Sequence, residues 1–94
     1  MIHMKLKDGF VLHELGGRTV VIAVDERAEE FNGMITLNET AVEIWKLLKE
    51  DTTEEQVVAG ITALFEGDAA FIAQDVHQFI AQLRANNLLE EEPA

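Results

Sequence analysis

Two apolar stretches rich in β-branched residues lie near the start of the chain, at residues 10–15 and 19–24. Gly16 and Gly17 lie between them and accept the positive φ angles that a type I′ turn requires. The pattern predicts a β-hairpin. Its two faces would carry Val11, His13, Val20 and Ile22, and Phe10, Leu12, Val21 and Ala23. Both faces are rather apolar, so the pattern leaves open which one is buried.

A third short strand is predicted over residues 34–37, leading directly into a helix that ends near Glu50. Asn38 is a favourable N-cap, because its side-chain oxygen can accept a hydrogen bond from a free backbone N–H of the first turn. The apolar residues that follow recur at i, i+3, i+4 and i+7, one face of a helix. They are Ala41, Ile44, Trp45 and Leu48. We expect Trp45, the only tryptophan, to lie in the core.

Two further helices follow by the same reasoning. Thr52 and Glu55 have the spacing of a capping box, and Asp68 can cap the last helix. The buried stripe predicted for the second helix is Val57, Ile61, Leu64 and Phe65. The stripe predicted for the third is Ile72, Val76, Phe79, Ile80 and Leu83. Asn86 and Asn87 should end the third helix, and Leu88 and Leu89 should then fold back onto the core.

Strands followed by helices predict an α+β fold, with a three-stranded antiparallel sheet and then three helices. The 94 residues predict a single domain over 1–94, in which residues 1–9 and 90–94 are flexible ends. No apolar run is long enough to cross a bilayer, and the start of the chain does not resemble a signal peptide. We expect a cytoplasmic protein without membrane contact, and the absence of cysteine agrees with a reducing compartment.

The composition argues against catalysis. The chain has no Cys, Ser or Tyr, and its histidines His3, His13 and His77 are far apart, without the close spacing of a zinc site. No glycine-rich phosphate-binding motif is present. We therefore predict no enzyme activity, no catalytic residues, no metal and no cofactor. The net charge of −11 should repel nucleic acids, whose binding depends on Lys and Arg.

Binding is the remaining class of function, and two features could serve it. The predicted third strand and the turn before it carry no charge, as suits an edge that accepts an added strand. These residues are Asn32, Gly33, Met34, Ile35 and Thr36. A second stripe adjoins the core stripe of the third helix, formed by Phe71, Asp75, Gln78 and Gln82. On the residues alone, an interior or covered strand, with Phe71 closing the core, is the preferred interpretation.

Two sequence motifs change this preference for a covered strand. Leu37-Asn38-Glu39-Thr40-Ala41 followed by Ile44-Trp45-x-x-Leu48 resembles the signature of the PqqD-like family. The resemblance runs from about Phe10 to Leu89, and the other apolar segments appear in the order typical of that family. Three departures are His13, where many members have Arg, Asn87, where many have Gly, and an N-terminal half that lacks basic character.

The resemblance implies a RiPP recognition element with a winged helix-turn-helix fold. Such proteins are non-catalytic peptide chaperones that bind the leader of a ribosomally made precursor peptide and present it to a modifying enzyme, in the best-known case a radical-SAM enzyme. The leader would add to the third strand at Asn32, Gly33, Met34, Ile35 and Thr36. It would face a helix wall of Phe71, Asp75, Gln78 and Gln82. Pathway, precursor and homodimer formation through the open edge stay open.

Two alternatives belong to other classes. A winged-helix transcription regulator would place one helix in the major groove of DNA. The third helix opposes this function, because Arg84 is its only basic residue and Asp68 and Asp75 lie in its first half, where base contacts would be expected. A protein–protein scaffold subunit without a peptide ligand is the other alternative.

Overall fold

A computed structural model describes residues 2–24 and 35–93 of the chain. Within these residues six strands and three helices form an α+β fold, as predicted. The strands are β1 (Ile2–Leu6), β2 (Phe10–Leu15), β3 (Arg18–Ala23), β4 (Ile35–Leu37), β5 (Thr52–Thr53) and β6 (Leu89–Pro93). The helices are α1 (Glu39–Leu48), α2 (Glu54–Leu64) and α3 (Ala69–Ala85).

The strands form two antiparallel sheets of three strands each. We call the sheet in the order β5-β1-β6 the terminal sheet, and the sheet in the order β2-β3-β4 the hairpin sheet. The hairpin sheet is the predicted one. The prediction of a single sheet is wrong, because the described residues form two sheets. Residues 2–6 and 90–93, which belong to the ends predicted as flexible, lie in strands. Strand β1 pairs along its whole length with β6, placing Leu6 opposite Leu89.

The terminal sheet forms because both chain ends contribute apolar side chains to the core. Met4 and Leu6 alternate with exposed or half-buried neighbours along β1 and are themselves buried. Leu88 and Leu89 are buried at the other end of the chain. Because alternation places every second side chain on one face, β1 covers the core with one face and leaves the other to solvent.

The predicted hairpin is confirmed in register and in turn. Leu15 pairs with Arg18, which leaves Gly16 and Gly17 as the two-residue loop. Their φ angles are +57° and +83°, both in the region that a type I′ turn requires. On one face of the hairpin Val21 is in the core, and Phe10 and Leu12 pack against that core. On the other face Val20 is also buried, whereas Val11 is 46% exposed.

The helices follow the predicted caps with one correction. Asn38 Oδ1 accepts from the backbone N–H of Ala41 at 2.8 Å, and Asp68 Oδ1 accepts from that of Ala70 at 2.8 Å. The capping box lies one residue later than predicted. Thr53 Oγ1 accepts from the N–H of Gln56, and Gln56 Oε1 accepts from that of Thr53, both at 3.2 Å.

The core lies between the helices and the two sheets. The stripes predicted for α1 and α3 are buried in full, and Trp45 is 1% exposed. Leu64 was predicted to be buried but is 62% exposed. The reason is that α2 ends at Leu64, and the chain leaves the helical path at Phe65, which packs against the core instead. Asn87, with φ of +64°, turns the chain from α3 toward β6.

Candidate functional site: the cleft between β4 and α3

The outer side of β4 is the open edge of the hairpin sheet. β4 pairs with β3 through Val21 opposite Ile35, Val20 opposite Thr36 and Thr19 opposite Leu37. Across residues 2–24 and 35–93, no strand pairs with its other side. Such an edge offers backbone N–H and C=O groups for hydrogen bonding to an added strand.

The side chains of β4 hold this edge in place. Ile35 and Leu37 are both buried in the core, whereas Thr36 between them is exposed. This alternation is that of a half-buried strand. Asn38 follows immediately and caps α1, so the first turn of α1 stands at the end of the edge.

An open cleft of about 230 Å³ lies beside this edge, between β4, the start of α1 and the middle of α3. Its floor is apolar and includes the buried residues Ala41, Ile44 and Phe79. Its remaining lining is polar, formed by Thr36, Asn38, Thr40, Asp75, Gln78 and Gln82. Asp75 is the one charged residue of this lining.

Three of the polar residues come from α3, at positions 75, 78 and 82. Spacings of three and four place them on one face of the helix, next to the buried stripe that anchors α3. Among the described residues, no hydrogen bond or ion pair engages the side chains of Asp75, Gln78 or Gln82. Their polar groups are therefore available to a molecule in the cleft.

The predicted site residues are distributed unevenly around the cleft. The structure brings Thr36, Asp75, Gln78 and Gln82 together in its lining. Ile35 contributes its backbone to the edge, but its side chain is in the core. Asn32, Gly33 and Met34 lie outside the described residues.

Phe71 is also outside the lining. It continues the line of Asp75, Gln78 and Gln82 by one turn toward the start of α3, and it is 69% exposed. The alternative prediction that Phe71 closes the core is therefore wrong.

Sequence reasoning missed the contribution of α1 to the cleft. Asn38 was predicted only as a cap, Thr40 was given no role, and Ala41 and Ile44 were predicted only as core residues. A signal was present, because a strand that runs directly into a capped helix must place that helix's first turn at the end of the strand. Phe79 was likewise predicted as a core residue and is also part of the floor.

Two of the three histidines form surface pairs with carboxylates. His3 lies 3.0 Å from Asp51, and His77 lies 3.2 Å from Glu54. In the described part of the chain, no group of three or more His, Asp or Glu residues could hold a metal ion. No helix among the described residues has the length and apolar character needed to cross a membrane.

A two-pronged ion pair ties α3 to the terminal sheet. Arg84 donates from Nε to Glu91 Oε1 at 2.7 Å and from an Nη to Oε2 at 2.9 Å. The hydrogen bonds from Arg84 lower the pKa of Glu91, and those to Glu91 raise the pKa of Arg84. The only basic residue of α3 is therefore already engaged.

Two solved structures share this fold. One is TbiB1 in complex with the TbiA(beta) leader peptide, with a TM-score of 0.68 and 24% identity, covering 92% of this chain and 94% of that one. The other is the solution structure of the PqqD truncation of Methylobacterium extorquens PqqCD, described as a functional and stand-alone RiPP recognition element. It gives a TM-score of 0.68 and 22% identity, covering 94% of this chain and 88% of that one.

Sequence comparisons give the family. No protein in the curated set matches this chain significantly. The family model for coenzyme PQQ synthesis protein D (PqqD) matches residues 18–89, which include β3 and β4 of the hairpin sheet, all three helices and the residues that line the cleft. The resemblance carried by the Asn38 and Trp45 motifs is thus confirmed, and the chain belongs to the PqqD family.

Proposed function

We propose that this protein binds the leader of a ribosomally synthesised precursor peptide and presents it to a modifying enzyme. The leader adds as an extended strand to the outer side of β4, and its side chains on one face reach across the cleft to α3. The observation that carries the proposal is the open edge of β4 beside a cleft in which the side chains of Asp75, Gln78 and Gln82 have no partner among the described residues. Backbone pairing supplies the register, and the cleft supplies selectivity.

Two relatives of the same fold support this proposal. TbiB1 was solved with a leader peptide bound, and the Methylobacterium extorquens PqqD truncation is described as a recognition element. Membership of the PqqD family favours the same role here. The peptide site comprises the edge from Asn32 through Thr36 and the α3 stripe of Phe71, Asp75, Gln78 and Gln82. Asn38 and Thr40 join it at the end of the edge.

The role is recognition without catalysis. The chain has no Cys, Ser or Tyr, and the polar groups of the cleft are amides, hydroxyls and a single carboxylate. The chemistry is supplied by the partner enzyme, for which a radical-SAM enzyme is the candidate that the family resemblance favours.

A winged helix-turn-helix arrangement accounts for the elements of this site. α2 and α3 pack together and are joined by a four-residue connection, as in a helix-turn-helix, and the β2–β3 hairpin corresponds to the wing. DNA binding is nevertheless disfavoured. Arg84 is paired with Glu91, and Asp75 would face phosphates of the same charge.

The proposal is tested by NMR titration of the ¹⁵N-labelled protein with synthetic leader peptides encoded beside its gene. We expect the largest amide shifts at Ile35–Leu37 and along residues 71–82 of α3. Shifts that cluster on β2 and miss both β4 and α3 would contradict the site assignment. No shift with any of these peptides would contradict the function and favour the scaffold alternative.

The same edge also determines the oligomeric state that we expect. An uncovered edge can pair with the same edge of a second copy, so a homodimer and a peptide complex compete for β4. Sedimentation equilibrium should then show that added leader peptide converts any dimer to a peptide-bound monomer. A dimer that persists at saturating peptide would place its interface elsewhere.

A further inference from the structure

The chemical character of the side chains beside the cleft changes along α3, so this surface can distinguish one peptide from another. Phe71, Asp75, Gln78 and Gln82 follow one another at spacings of four, three and four, so they form a continuous line along the helix. The line begins with an exposed aromatic ring, continues with a carboxylate and ends with two amides. A peptide that lies along the cleft and continues past its lining to Phe71 meets these groups in that order.

The spacing of this line matches that of an extended chain. Four residues of helix advance by about 6 Å, and two residues of strand advance by about 6.6 Å. Phe71 and Asp75 therefore face peptide side chains two positions apart, which point to the same side of a strand. The whole line spans about 16.5 Å, the length of about five extended residues.

The charge of the site indicates which side chain faces Asp75. Asp75 has no hydrogen-bond or ion-pair partner among the described residues, and no basic residue lines the cleft. The net charge of the whole chain, −11, adds a field that attracts cationic peptides and repels anionic ones. A Lys or Arg of the peptide, placed opposite Asp75, forms an ion pair with a carboxylate that has no other partner among the described residues.

The aromatic ring indicates the second side chain. Phe71 is the most exposed of the large apolar residues in the described part of the chain, at 69%. It stands next to Asp75 on the same helix face, and an apolar peptide side chain would shield it from water. This contact removes apolar surface from solvent and is favourable for that reason.

We propose that the peptide recognised by this cleft carries a basic side chain opposite Asp75 and, two positions away, an apolar side chain against Phe71. This inference rests on the proposed leader binding and adds the chemical class of the leader. Polar side chains able to bond with amides occupy the positions facing Gln78 and Gln82.

Selection from a displayed library of random 11-residue peptides tests the proposal without knowledge of the natural precursor. The baits are the wild-type protein, Asp75→Asn, Phe71→Ala and the control Glu66→Gln. Glu66 is exposed and outside the cleft lining, so Glu66→Gln removes the same charge as Asp75→Asn. Circular dichroism checks that each variant is folded.

We expect the wild type and Glu66→Gln to enrich peptides with Lys or Arg two positions from an apolar residue. Asp75→Asn should lose the preference for Lys or Arg at that fixed spacing, and Phe71→Ala the preference for the apolar residue. Enrichment without a basic residue at that spacing, or a preference at that spacing that survives Asp75→Asn, would overturn this inference and leave leader binding intact. Failure to enrich any peptide would count against leader binding itself, and against this inference with it.

Fluorescence anisotropy with a labelled peptide from the selection measures how much the contact between Asp75 and the basic peptide residue contributes to binding. Asp75→Asn, or Lys→Gln in the peptide, should each weaken binding about two- to fivefold, as is typical of a partly exposed ion pair. The two changes together should weaken it no more than one alone. Added salt should weaken wild-type binding more than Asp75→Asn binding. Independent, multiplying effects would show that Asp75 and the basic residue do not meet.

Discussion

The two sheets of this protein are built alike and are placed for different tasks. In the terminal sheet, the central strand β1 is covered on both sides by β5 and β6, and Arg84 ties β6 to α3 through Glu91. In the hairpin sheet, β4 lies at the edge beside the cleft, and Val11 and Leu15 of the outer strand are each 46% exposed. One sheet therefore closes the fold, whereas the other offers a surface.

This comparison implies that stability and peptide binding can be changed separately. Substitutions in the terminal sheet should lower the free energy of unfolding but leave the affinity of the folded protein for peptide unchanged. Substitutions of residues that line the cleft should lower the affinity for peptide but leave the free energy of unfolding unchanged. Three changes in the core and the terminal sheet test the first half of this statement.

The largest effect should come from Trp45, which lies beside both sheets. It is buried on α1 and also borders the surface between the end of β1 and the start of β2. Trp45→Ala should lower the free energy of unfolding by about 3–5 kcal/mol, because it leaves a large cavity in the core. Urea unfolding followed by circular dichroism measures this loss. The control is Leu64→Ala at an exposed position, expected to change it by less than about 0.5 kcal/mol. An unchanged midpoint for Trp45→Ala would contradict its role in the core.

A smaller effect is expected from Leu89, which faces Leu6 across the terminal sheet and is buried. Leu89→Ala should cost about 2 kcal/mol, the low end for a buried leucine, since the site lies on an edge strand. Ile2→Ala, at the exposed end of the same sheet, is the control with a smaller expected loss. Anisotropy with the selected peptide should give the same affinity for both variants. A large change in affinity would show that the two sheets are coupled.

The smallest effect concerns the pair of Arg84 and Glu91. The pKa of Glu91 is lowered by the hydrogen bonds from Arg84, so the pair stabilises the fold above the ordinary carboxyl pKa. That contribution is lost as the pH falls through the lowered pKa of the folded state. Glu91→Gln should therefore cost at most about 1 kcal/mol near neutral pH, because solvent screens the pair.

The measurement is the urea midpoint of wild type and variant between about pH 7 and pH 2.5. The difference between them should shrink at the acid end. Glu92→Gln, at the exposed neighbouring position, should show no such convergence. A constant difference for Glu91→Gln over the whole range would mean that its side chain acts by packing rather than by charge.

The parts of the fold that the sequence predicted are those specified by neighbours in the chain. The Asn38 cap, the Gly16-Gly17 turn and the apolar stripe of α3 depend on residues only a few positions apart. The capping box was misplaced by one residue because Thr52 with Glu55 and Thr53 with Gln56 both have the required spacing. Pairing of the two threonines with β1 favours the second.

The terminal sheet was not predicted, because its partners lie at opposite ends of the chain. Met4 and Leu6 do alternate with polar neighbours, a signal of a half-buried strand that was overlooked. The partner strand gives the opposite signal. Glu90, Glu91 and Glu92 are poor strand formers and resemble a solvated tail, and only pairing with β1 makes them a strand.

The parts of the candidate site that follow a regular spacing in the sequence could be predicted. The stripe of Asp75, Gln78 and Gln82 followed from helical spacing. The lack of charge in β4 agreed with an edge, but the residues alone favoured a covered strand, and the family resemblance supplied the edge. The first turn of α1 was missed, although the direct step from β4 into the Asn38 cap indicated that this turn lies at the end of the edge. How this turn and α3 together enclose the cleft depends on tertiary packing and was visible only in three dimensions.

The pairing of Ile2 with Pro93 has a consequence for how this protein can be joined to others. Antiparallel neighbours lie about 5 Å apart, so the two ends of the described chain leave the molecule side by side. A domain fused to either end would stand at the same place. A short linker between the ends would give a circular chain that can be reopened at Gly16-Gly17, where an added side-chain carbon would meet no atom within 4 Å.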